Sequence, residues 1–218
     1  MCGIAGIAAS GRAIPSSKTI DTMLVAMAHR GPDGEGRYEA PGIALAQARL
    51  AIIDLQTGDQ PLFGPDNTAL VANGEIYNYI ELKEEFAGSN FATKSDCELP
   101  LYTYQRDGAW FSRALRGMYG IALRGDNCVY LSRDPFGIKP LYYAESVEGL
   151  LFASEPEVIL KTGLIARKIR SSIANELLQL QFTTGRDTIF DGISRVLPGE
   201  TIAVRDGTLE EHRVERAL

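Results

Sequence analysis

Histidine is nearly missing from this chain of 218 residues: there are two, His29 and His212. Cysteine is sparse as well, with Cys2, Cys97 and Cys128 making up the three. An odd, widely spaced set is no disulfide framework and suits a reducing compartment. No CxxC pair occurs, and so few imidazoles and thiols make a metal site a poor expectation. No apolar run approaches the roughly 18 residues of a membrane span. The opening MCGIAGIAAS lacks the basic leader and long apolar core of a secretory signal. A basic stripe is lacking too. The net charge is −6 with the acid scattered, which argues against a nucleic-acid surface and fits a solvated exterior. The expectation is a cytoplasmic protein with neither membrane nor nucleic acid as partner. Internal repeats, low-complexity linkers and a GxxxxGK[ST] phosphate loop are also absent.

What is there is an ordinary globular composition, 45% apolar and 23% charged, in a chain long enough for one large domain. Residues 3–9 are small and apolar and predict a buried strand. Ile20, Met23, Leu24, Met27 and Ala28 form one helical face behind an N-cap at Ser16 or Ser17. The run HRGPDGEG ends that helix in a Gly-Pro loop. Short strands are predicted over 42–48, 50–53 and 68–72, and a helix over 76–86. Ser95 and Glu98 have capping-box spacing for a further helix, with Pro100 awkward inside it. Between 118 and 153 the pattern is two hairpins. A helix over 173–180 and a last strand over 200–205 close the chain. Strands and helices in clusters predict a layered α+β sandwich.

A cysteine nucleophile usually needs a base, often histidine. His29 closes an amphipathic helix and His212 lies in the charged tail EEHRVERAL, so neither suits that pairing. Cys2 offers another route. A small second residue permits removal of Met1, and the new terminus then carries thiol and amine on one residue. An α-amino group titrates at about 7.7–8.0, close to the neutrality that proton transfer favours. Cysteine at position 2 alone would be no evidence, since chance supplies it.

It does not stand alone: MCGIAGI, which contains it, is followed by HRGPDGEG, RLAIID, NGEIYNY, SDCE and DPFGIKPLYY in this order. Together these strings resemble the class II glutamine amidotransferase domain, an N-terminal-nucleophile hydrolase. The branch they resemble is the domain at the front of glutamine-hydrolysing asparagine synthetase. The likeness runs from Met1 to about Leu160, and DTIFDGISRVLPGETIAV extends it to about Val204. The resemblance implies a four-layer αββα sandwich. Residues 1–160 would form the glutaminase core, and 161–218 the C-terminal part of the same domain, leading toward a synthetase domain.

It also implies roles by position. Cys2 would attack the side-chain amide of L-glutamine, giving a glutamyl thioester and ammonia. The Asn73 side chain and the Gly74 N–H would hold the oxyanion, although Asn-Gly by itself equally fits a type I′ hairpin turn. Losing one such donor typically costs about 2.7–4 kcal/mol of barrier. Arg49 would clamp the α-carboxylate, and Asp96 with Glu75 would receive the α-ammonium. A surface arginine and a helix-start aspartate are the plain alternatives. Leu50, Ile52 and Ile53 would line the pocket, Ile52 through its backbone. Cys97 is read as a packing variant, Pro156 as the mark of a differing loop, and His29, Arg30 and Asp33 as structural.

The SGGxDS phosphate loop of the synthetase half does not occur in these residues. The domain is therefore expected to need no cofactor. ATP and magnesium would belong to a synthetase domain or subunit that receives the ammonia, with aspartate as default acceptor. An excised glutaminase domain and a free-standing subunit feeding another carboxylate both fit. So does a glutamine-binding regulatory module without turnover, if Met1 stays. A different N-terminal-nucleophile hydrolase, such as an acylase, fits Arg49 and Asp96 less well. Composition leaves homo-oligomerisation open.

Overall fold

A computed structural model describes residues 1–11, 13–126 and 128–214. Two six-stranded sheets form its centre. The first contains β1 (Gly3–Ala9), β2 (Gly34–Ala40), β3 (Ile43–Arg49), β8 (Tyr142–Ser146), β9 (Gly149–Ala153) and β10 (Ser194–Arg195), in the order β10-β8-β9-β1-β3-β2. The second contains β4 (Leu62–Phe63), β5 (Ala69–Ile76), β6 (Gly117–Arg124), β7 (Val129–Arg133), β11 (Glu200–Arg205) and β12 (Thr208–Val214), in the order β12-β11-β7-β6-β5-β4. All neighbours run antiparallel.

The layers follow from which residues are apolar. Ile4, Ile43, Leu45, Val71, Leu131, Phe152 and Ile202 fill the space between the sheets. The outer face of the first sheet, with Ala5, Ile7, Ala44 and Ala46, is covered by α1 (Ser17–Met27) and α4 (Pro156–Lys161). The outer face of the second is covered by α2 (Tyr79–Glu85) and α3 (Leu99–Asp107). Helix, sheet, sheet, helix is the expected four-layer α+β sandwich. Because both faces of β1 are covered, its seven residues are all buried, which is why they read as a continuous apolar run. Gly6 must be glycine there, since a Cβ would lie 2.3 Å from the Ala44 carbonyl oxygen.

Several sequence expectations need correction. The predicted strand at 50–53 is an irregular loop. The helix placed over 76–86 starts at Tyr79, because β5 continues through Ile76 in register with Gly117. Ser95 caps Cys97 N and Glu98 does not reach back to it; the Glu98 carboxylate instead accepts from Ala92 N and Thr93 N at 2.7 and 2.8 Å. Pro100 lies in the first turn of α3, where no N–H is needed. Pro156 likewise begins α4 and does not mark a loop. HRGPDGEG gives way to β2 at Gly34, and the charged tail after 205 forms β12. Residues 215–218 of that tail lie outside the described residues. No helix is long and apolar enough to cross a membrane, among the described residues.

Phe152 stands fully buried between the sheets. Phe152→Ala should cost about 3–5 kcal/mol, read as a lower urea midpoint at unchanged slope.

Candidate active site

Side chains that point between the sheets change character along three strands. On β3, Ile43 and Leu45 are core, and Gln47 and Arg49 follow at the same period of two. On β5, Ala69 and Val71 give way to Asn73 and Glu75. On β1, Ala8 and Ile4 lead back to Cys2. The polar ends meet in one pocket. Cys2, Arg49, Leu50, Ile52, Ile53, Asn73, Gly74, Glu75 and Asp96 all line it. Gln47, Gln60 and Lys139 line it too, and sequence reasoning missed them. A signal existed for Gln47, the polar break in ALAQAR two residues before Arg49.

The Asn73-Gly74 pair is no hairpin turn. It sits inside β5, opposite Gly120 and Tyr119. Tyr119 directs both main-chain groups to Asp134: its N–H donates to Oδ2 at 3.2 Å and its carbonyl accepts from Asp134 N at 2.9 Å. N–H and C=O of an antiparallel residue point to one side. Gly74, facing Tyr119, therefore turns its own groups away from β6. On that side β4 has already ended, and side chains meet what β5 exposes. Gln60 accepts from Ala72 N at 2.6 Å, Gln47 donates to the Ala72 carbonyl at 3.0 Å, and Asp96 accepts from Ile76 N at 2.6 Å. Cys97 Sγ lies 3.6 Å from the Gly74 carbonyl. The Gly74 N–H is left over, with no side-chain acceptor among the described residues. Beside it the Asn73 side-chain nitrogen is buried and has no partner. Two unmet donors thus share the pocket with a thiol. A Cβ on Gly74 would come within 2.3 Å of the Met118 carbonyl oxygen, so only glycine allows this pairing.

The Cys2 sulfur accepts from Leu50 N at 3.3 Å. Its carbonyl is gripped by Arg30 Nε at 3.0 Å, and Arg30 is held in turn by Glu155 at 2.5 Å. Burial would raise the Glu155 carboxyl, but hydrogen bonds from Arg30 and His29 outweigh it and hold the group below the usual range. Asp33 accepts from Ala51 N at 2.9 Å. Gly31 packs so tightly on β3 that a Cβ would lie 2.2 Å from the Ala48 carbonyl carbon. The HRGPD string is therefore a brace for Cys2 and the 50–53 loop. DPFGIKPLYY is another: the buried Asp134 accepts from Phe136, Ile138 and Lys139 N–H groups at 2.9–3.1 Å. Neither histidine lines the pocket; His212 pairs with Glu200 at 2.7 Å.

Arg49 is buried, not a surface residue. Its guanidinium donates to the Asp54 carbonyl and to the Asp59 carboxylate, each at 2.5 Å. Asp96 begins a 3-10 turn and is 2% exposed. Burial pushes its carboxyl above the usual range against the opposing pull of Ile76 N–H, and Glu75 adds to the rise. Burial, then the charges of Asp96 and Cys2, push the Cys97 thiol well up, which favours its neutral form. No group of three or more His, Cys, Asp or Glu is arranged to hold a metal, among the described residues.

A thiol at the head of a central strand, two unmet donors beside it, and a buried arginine and aspartate thus share one pocket of the four-layer sandwich. The chain belongs to the glutamine amidotransferase domain family, whose profile matches residues 1–215. It is 35% identical to asparagine synthetase [glutamine-hydrolyzing] 1 of Bacillus subtilis over 221 residues, covering 96% of this chain and 34% of that protein. It is 42% identical to asparagine synthetase [glutamine-hydrolyzing] 2 of the same organism over 163 residues, covering 71% of this chain and 22% of that protein. The chain thus spans about a third of the length of the first relative and about a fifth of the second. In fold it is similar to glutamine phosphoribosylpyrophosphate amidotransferase from B. subtilis, with TM-score 0.71 and 20% identity over 98% of this chain and 49% of that one.

The raised Asp96 carboxyl has a stability consequence. Its charged form is disfavoured in the fold, so stability is greatest below the ordinary carboxylate value and declines as pH rises through the raised one. Asp96→Asn keeps an oxygen for Ile76 N and removes the charge. Its thermal midpoint should exceed the parent's at pH 7, and the gain should vanish below about pH 4. A gain independent of pH would contradict this account.

Proposed function

We propose that the chain hydrolyses L-glutamine to glutamate and ammonia, and that it supplies the ammonia to an asparagine-synthetase-type amidation. One observation carries the reading: thiol, unmet Asn73 nitrogen, Gly74, Arg49 and Asp96 face a single pocket. With Met1 removed, the Cys2 amine takes the thiol proton and the sulfur adds to the side-chain amide carbon. The oxygen becomes an oxyanion held by the Asn73 side chain and the Gly74 N–H. The amine then returns its proton to the departing nitrogen. Ammonia leaves, a glutamyl thioester remains, and water cleaves it to glutamate and free thiol. Met1 is 59% exposed, which leaves it open to an aminopeptidase.

Arg49 takes the α-carboxylate in place of Asp59, and Asp96 with Glu75 takes the α-ammonium. Burial that disfavours the Asp96 charge is offset once that cation arrives. A pocket demanding both charges selects a free amino acid. The relatives' names support aspartate as the acceptor. ATP and magnesium are assigned to the synthetase half, and this domain uses no cofactor.

Cys2→Ala should remove glutamine hydrolysis and leave the thermal midpoint near the parent's; ammonia release above background by that variant would rule out the nucleophile. Intact mass should show loss of Met1 in active protein, and a binding module without turnover would keep it. Arg49→Ala should raise KM roughly ten- to hundredfold, the worth of a charged hydrogen bond, with a smaller change in kcat.

A further inference from the structure

The oxyanion pair accounts for one end of a carboxamide, its oxygen. The NH2 end needs an acceptor. Gln47 is 1% exposed and lines the pocket from β3, across the layer from Asn73 on β5. Its Nε2 donates to the Ala72 carbonyl, whose own residue is fixed through Gln60. That bond sets the amide's orientation, because a flipped amide would put oxygen against oxygen. Gln47 Oε1 is then a buried acceptor with no partner among the described residues. The Asn73 nitrogen is a buried donor in the same condition. One bare acceptor and one bare donor, on residues that line the same pocket as the thiol, are complementary to a primary carboxamide.

We propose that Gln47 Oε1 receives an N–H of the substrate's side-chain amide and so determines that the site takes a carboxamide. This rests on the glutaminase reading above. A carboxylate or an ester offers no hydrogen in that position and sets oxygen against Oε1. A site built around a hydrogen-bonding group rejects analogues that lack it, because its own buried atom is then left unmet. The same contact favours release of the product, whose new carboxylate oxygen faces Gln47 where the amide nitrogen stood.

The test compares L-glutamine with L-glutamate γ-methyl ester on the full chain with Met1 removed. The ester acylates the same thiol and uses the same donors, but brings no N–H. Gln47→Met keeps length and volume and lacks the acceptor. Its kcat/KM for glutamine should fall about tenfold or more, the worth of one hydrogen bond, while the ester falls far less. The amide-to-ester ratio is the readout, and retained ester cleavage certifies the fold. Equal losses for both substrates would overturn the proposal and place Gln47 in bracing Ala72 or the Cys2 amine. If Gln47→Met does not fold, Gln47→Asn, which withdraws the amide by one methylene, is read by the same ratio. A parent chain that cleaves neither substrate would sink the glutaminase reading itself, a different result from an unchanged ratio.

Discussion

Past Leu70, which pairs with Leu62, the strand β5 has no strand neighbour on one side, and a buried backbone group without a partner is costly. The site grows out of that constraint. Ala72, Gly74 and Ile76 present main-chain groups that no strand can take. Gln60, Gln47, Cys97 and Asp96 converge to meet them. These side chains are thus fixed by the backbone first, which leaves them rigid for any second task. Asp96 is the clearest case: the oxygen that satisfies Ile76 N also anchors a carboxylate in a buried place. Preorganisation of this kind lets a site act without moving when charge develops.

A second constraint concerns the start of the chain. Termini fray unless they are tied down, and the proposed role of Cys2 requires a fixed position. Here β1 pairs on both edges, with β3 and β9. Arg30 then holds the Cys2 carbonyl from outside the ladder. The recognition elements are tied together as well. Asp54, whose carbonyl accepts from Arg49, uses its carboxylate to accept from Lys94 N at 2.8 Å, two residues before Asp96. Arg49 and Asp96 are thereby linked through one acidic residue, and a shift at either end is felt at the other.

The sequence made the layers legible because burial is periodic. α1 and the hairpins between 117 and 153 read directly from apolar spacing. It was less informative where tertiary contacts overrode local preference. The apolar 50–53 stretch resembles a strand, yet its backbone turns away to serve Cys2 and Asp33. Glu98 has the spacing of a cap and serves another loop instead. β12 escaped notice because an edge strand facing water is charged, like a tail. The resemblance picked out Cys2, Arg49, Asn73 and Asp96, which share one pocket, whereas it named neither Gln47 nor Lys139. The importance of Gln47 lies in an oxygen left without a partner, which only the three-dimensional arrangement reveals.

The contact between Arg49 and Asp59 has one more implication. Asp59 is a largely exposed carboxylate that occupies the arginine's fork while the site is empty. An amino acid bound as proposed would replace an ion pair already made. Its affinity would then be set by the difference between two similar pairs. Displacing Asp59 also frees the 53–59 loop from the guanidinium, and that loop carries the exposed Leu55 next to the exposed Ile52 and Ile53. Occupancy of the pocket as proposed would thereby loosen a loop bordered by an apolar stretch of surface.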